Sequence, residues 1–90
     1  MKNFNKFLPE ARGLVAETMN NSTMTLPEPV TPEDIYVVWS CKTLQNAKAL
    51  LSTDVVSGLY FEVTYNGSRG EYYVDTYEKV KNECIVREEE

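Results

Sequence analysis

Ninety residues suffice for one small domain with a modest core, and exclude two domains with a catalytic cleft between them. A hydrophobic content of 42% with 26% charged residues excludes a largely disordered chain, and one Trp, six Tyr and three Phe supply large areas for burial. The net charge of -5, with no cluster of Lys and Arg, disfavours generic binding to nucleic acid or an anionic membrane and suits a basic protein partner.

The chain opens with Lys2 and Lys6 but no apolar run of signal-peptide length, and no stretch approaches the ~18 apolar residues of a membrane span. A cytoplasmic protein is expected. From there Phe4, Phe7, Leu8, Ala11, Leu14, Val15 and Met19 recur at spacings of three and four, which predicts a helix from about Lys6 to Asn20 with one apolar stripe. Pro9 and Gly13 weaken it, so its stability has to come from packing on something else. Residues 23–32, with prolines at 27, 29 and 32, read as a Pro-rich linker crossing the domain surface. Thr31-Pro32-Glu33-Asp34 then has the chemistry of a single capped helical turn.

DIYVVWSCKTLQNAKALLST, from Asp34 to Thr53, is the most patterned stretch and reads as two strands joined at Leu44-Gln45-Asn46. Strict alternation places Ile35, Val37, Trp39 and Cys41 on one face and Tyr36, Val38, Ser40 and Lys42 on the other. The first set is the expected core face, with Trp39 packed on the helix at Val15 or Met19; the second is the expected outer face. Asp54 to Gly58 is the next connection, and Leu59 to Tyr65 the third strand, with Leu59, Phe61, Val63 and Tyr65 sharing a side. Asn66-Gly67-Ser68-Arg69-Gly70 is the strongest turn signal, because Asn and Gly tolerate positive φ. It leads into a fourth strand from Glu71 to Thr76. The spacing of Tyr73, Tyr77, Val80 and Cys84 then favours a short C-terminal helix, with continued strand as the alternative. Residues 87–90 form an acidic tail.

The fold expected for residues 1–90 is therefore a single α+β domain. An antiparallel meander of about four strands is covered by the N-terminal helix, and a short helix or continued strand follows.

Chemistry is constrained mainly by what the chain lacks. No histidine occurs, which removes imidazole-based catalysis and most zinc sites; no P-loop, GxGxxG run or calcium loop is present. No metal and no cofactor are expected. Cys41 and Cys84 form no CxxC pair and read as two buried thiols in a reducing compartment. Glu62, Glu71 and Asp75 are the candidates for two-carboxylate catalysis, but each reads more simply as a solvent-facing strand or cap residue, so a non-enzymatic protein is expected. Tyr36, Tyr60, Tyr72 and Tyr73 exceed what one core face needs. Aromatics on an outer sheet face anchor protein interfaces, and also stack single-stranded bases, for which Lys42, Lys48 and Arg69 would add charge.

The stretches DIYVVWSCKTLQNAKALLST, GLYFEVTYNG and EYYVDTY together resemble a family of small uncharacterised proteins encoded by phages and prophages of Gram-positive bacteria. The resemblance spans roughly Glu33 to Ile85 and carries no activity, so no residue inherits a role from it. It implies expression in a bacterial host cytoplasm. The expected function is a protein-binding module acting on a host or phage protein through Tyr36, Val38 and Lys42. The alternatives are an accessory of phage DNA metabolism contacting single strands, and a self-assembling structural component with open edge strands.

Overall fold

The computed structural model describes residues 4–88, Phe4 by its backbone alone; expectations for the Phe4 side chain, Glu89 and Glu90 lie outside the described residues. A helix α1 (Phe4–Asn20) is followed by a 3-10 turn (Pro32–Asp34) and four strands: β1 (Ile35–Thr43), β2 (Asn46–Thr53), β3 (Leu59–Asn66) and β4 (Glu71–Glu78). The strands form an antiparallel sheet in the order β1-β2-β3-β4, a meander built from sequential hairpins. The expected α+β architecture is the observed one.

α1 forms because its apolar residues return to one side. Phe7, Ala11, Val15, Ala16 and Met19 are buried, while Glu10, Arg12 and Glu17 face solvent. Pro9 lies within the helix on its exposed side, so burial of the stripe outweighs the lost hydrogen bond. The facing residues are Ala49 and Leu51 of β2 and Phe61 and Val63 of β3, all essentially inaccessible. Full burial of a side chain such as Leu51 or Phe61 contributes about 1.5–3 kcal/mol. The two small residues of β2, Ala47 and Ala49, belong to the same buried cluster as Phe7 and Met19.

The linker is tied down by a side chain. Asn20, the last residue of α1, donates through Nδ2 to the Val30 carbonyl and accepts from the Val30 amide at Oδ1, each at 2.8 Å. With this pair of hydrogen bonds Val30 is buried and the chain turns towards the sheet at a fixed point. The single turn expected at Thr31-Pro32-Glu33-Asp34 is present: Asp34 N donates to the Thr31 carbonyl, and the Asp34 carboxylate accepts from the Thr31 amide at 2.9 Å. The Thr53 hydroxyl donates to the Asp34 carbonyl at 2.7 Å and joins this turn to β2.

Two expectations at the far end are corrected. β4 extends to Glu78, and residues 79–88 continue with neither helix nor strand; the short helix through Tyr77, Val80 and Cys84 does not form. Its spacing imitates a helix, but Val80 and Cys84 are exposed and offer a helix no buried side. The second correction concerns the thiols: Cys41 and Cys84 are both free and exposed.

Candidate functional site

The two faces of the sheet differ because only one is covered. α1 lies over the face carrying Ala49, Leu51, Phe61 and Val63, and among the described residues no element lies over the other. Which side chains reach that open face depends on one irregularity. In the β1–β2 ladder Val37 stands opposite Leu51, but the next paired residue of β1 is Trp39, opposite Leu50. Val38 is the extra residue of a β-bulge.

An extra residue shifts the alternation of everything after it. Partners directly across a strand pair share a face, so Trp39, opposite Leu50, and Cys41, opposite Lys48, stand on the open face. Ser40 and Lys42, opposite Ala49 and Ala47, stand on the helix side. The expectation of Trp39 and Cys41 in the core is corrected accordingly: Trp39 is 43% exposed. Of the three expected binding residues, Tyr36 lies on the open face opposite Ser52, Val38 is the bulge residue and exposed, and Lys42 belongs to the helix side. They do not form one surface.

What does form one surface can be read row by row across the sheet. Tyr36, Ser52, Tyr60 and Tyr77 make one row; Trp39, Leu50, Glu62 and Asp75 make the next; Cys41, Lys48, Thr64 and Tyr73 make the third. Tyr36, Trp39, Tyr73 and Tyr77 are about half exposed, whereas Ser52 between the tyrosines is buried and its hydroxyl donates to the Leu59 carbonyl at 2.7 Å. A shallow depression of about 160 Å³ lined by Cys41, Thr43, Lys48 and Thr64 borders the aromatic rows. Trp39, Leu50 and Tyr77 are absent from the sequence-based site. Val37-Val38 on an edge strand was the available hint, since two adjacent apolar residues allow either register.

The charges of this face are mainly acidic. Glu62 stands directly across from Asp75, a like-charged pair that costs stability unless a cation relieves it. Lys48 does so in part, with Nζ 3.7 Å from Glu62 Oε1. Glu71 accepts from the Tyr73 hydroxyl at 2.8 Å and lies 3.6 Å from Arg69 Nε. That hydrogen bond, with the charge of Glu71, raises the Tyr73 phenol above its ordinary value. The three carboxylates Glu62, Glu71 and Asp75 thus share one face, with Glu62 and Asp75 adjacent and Glu71 two rows away. They lie on an open sheet surface, outside the residues of the depression. Among the described residues, no three His, Cys, Asp or Glu side chains converge as a metal site.

Tyr72, expected to help populate the outer surface, has another position. It lies on the helix side opposite Tyr65, with its ring 4.6 Å from that of Tyr65 and stacked on Phe7 at 6.4 Å. Its hydroxyl donates to Glu10, and burial together with that carboxylate pushes the phenol well above its usual range. This tyrosine fastens α1 to the β3–β4 hairpin.

A family model described as a family of unknown function (DUF6275) matches residues 8–87. No curated protein and no solved structure matches the chain. Among the described residues no helix is long and apolar enough to cross a membrane.

Proposed function

The chain belongs to that family of unknown function, and from that premise we propose that it is a non-enzymatic binding module whose open sheet face docks a protein presenting basic side chains around an apolar anchor. The observation that carries this reading is the position of Trp39: a large aromatic, 43% exposed, on the face that α1 leaves uncovered, beside Leu50 and one row from Tyr36 and Tyr77. Trp and Tyr are the side chains that most often anchor protein interfaces, because they bury a large area at small entropic cost. The charge pattern supplies the chemistry of the partner. Glu62 and Asp75 stand side by side and Lys48 pairs with Glu62 at 3.7 Å, so a Lys or Arg from outside would further relieve their repulsion. The same acids disfavour a nucleic-acid backbone.

A host or phage protein in a Gram-positive cytoplasm is the source of partner that the resemblance of DIYVVWSCKTLQNAKALLST supports. The test compares the tagged chain with its Tyr36→Ala/Trp39→Ala variant as baits in Gram-positive lysate with and without nuclease. The expected result is a protein retained in stoichiometric amount by the natural chain, released by salt, and lost from the variant while its circular dichroism is unchanged. Equal retention by both baits would exclude the open face as the site. Retention that vanishes with nuclease would replace the protein partner with a nucleic acid.

A further inference from the structure

Residues 79–88 follow β4 as a segment in which every residue is exposed, Val80 and Val86 at 94% and 85%. Its sequence is patterned as a strand. At period two, Val80, Cys84 and Val86 share one side with Asn82 and Glu88, and Lys79, Lys81 and Arg87 share the other with Glu83 and Ile85. An amphipathic strand needs a sheet edge and a surface for its apolar side; within the chain residues 79–88 join no strand, and Lys79 N donates to the Gly58 carbonyl beside β3. β4, at the margin of the sheet, has one side unpaired.

We propose that residues 79–88 form an arm that pairs antiparallel with the free edge of β4 in a second copy, each copy giving one arm and receiving one. Three observations select this occupant. First, the charges are complementary in balance: β4 carries Glu71, Asp75 and Glu78 and no base, whereas in the arm Lys79, Lys81 and Arg87 outnumber Glu83 and Glu88, with Lys81 paired to Glu83 within the arm. Second, the lengths match, because ten described residues of arm meet a strand of eight. Third, the accessible surface of 6695 Å² exceeds by roughly 1,300 Å² the ~5,400 Å² of a compact monomer of this mass, more than the ~800 Å² that each partner of a standard interface buries. The opposite edge, β1, is a poorer acceptor, because the bulge at Val38 interrupts it.

The pairing is isologous, and a two-fold axis perpendicular to the sheet joins the two meanders edge to edge. Both open faces then lie on the same side of one continuous sheet, so the assembly presents the Trp39 surface twice. The arm is independent of what that surface binds.

The test is the mass of the full chain in solution, measured by sedimentation equilibrium across a hundredfold range of concentration, beside a Val80→Asp/Val86→Asp variant. Both valines are exposed within the single chain, so the variant keeps its fold, which near-ultraviolet circular dichroism verifies. The expected result is a species of twice 10.3 kDa for the natural chain and at least tenfold weaker association for the variant. Hydrogen exchange should show protection of β4 and of residues 79–88 that fades on dilution. A natural chain of 10.3 kDa throughout the range would overturn the proposal, as would a dimer that survives the two substitutions.

Discussion

Trp39 stands directly across from Leu50, on the side of the sheet away from α1. That pairing decides what the molecule can do. Moved one position along the ladder, Trp39 would complete the core beneath the helix and the open face would lose its largest anchor. The residue responsible is Val38, which takes no partner and turns the second half of β1 over.

The pairing makes Trp39 cheap to remove. Trp39→Ala should lower stability by about 1 kcal/mol or less, the scale of a partly exposed surface position, whereas Phe61→Ala in the core should cost about 3–5 kcal/mol. Urea denaturation of the two variants measures the difference. Comparable losses would place Trp39 back in the core.

Asn20 holds Val30 by both its amide and its carbonyl. Asn20→Ala should cost about 1–3 kcal/mol, since it leaves two part-buried backbone groups to be resatisfied. Asn20→Asp, which keeps the acceptor and loses the donor, should fall between. Proteolysis within residues 23–30 is the second readout, and should accelerate in step with the loss of stability.

At the opposite end of the sheet the two hairpin turns touch. The Gly67 amide donates to Asn46 Oδ1 at 3.2 Å, and a Cβ at position 67 would overlap the backbone carbonyl of Gln45. Gly67→Ala should therefore destabilise by about 1–3 kcal/mol, the ordinary cost of overpacking, although glycine to alanine usually favours the folded state. The same substitution at Gly13, where a Cβ meets nothing within 4 Å, should be neutral or stabilising. Thermal melting of the pair separates the two effects.

Tyr72 gives the molecule an alkaline limit. Burial, then the hydrogen bond to Glu10, hold its phenol neutral in the fold above the ordinary value of 10.0. A raised phenol contributes stability that is fully present below about pH 10; above it the unfolded chain loses the proton first and the contribution is lost. The stability difference between the natural chain and Tyr72→Phe should hence be constant from neutral pH to about 10 and shrink beyond it. Curves that stay parallel above that pH would remove Tyr72 from the account.

Much of this fold is legible in the sequence. Period-two runs such as Leu59, Phe61 and Val63 fix a strand face, Asn66-Gly67 marks a hairpin, and the Phe7, Ala11, Val15, Met19 stripe marks the helix that covers it. The open face was less legible for two physical reasons. Val37-Val38-Trp39 is apolar at every position, so the hydrophobic pattern that normally fixes register is satisfied with or without an extra residue. Tyr77, Val80 and Cys84 carry helical spacing, yet the β3–β4 ladder pairs Tyr60 with Tyr77 and continues to Glu78, because cross-strand pairing outweighs the weak propensity of so short a helix. Trp39, Leu50 and Tyr77 come together only through those two departures.

Trp39 is the chain's single tryptophan, so its fluorescence reports on the open face alone. The decisive measurement is acrylamide quenching of that emission in the isolated chain, and again after addition of the protein retained by the bait. The account expects free quenching in the isolated chain, then protection and a blue shift at one partner per face. Emission already shielded in the isolated chain, or quenching unchanged when the partner is bound, would contradict the claim that the bulge at Val38 builds a docking surface.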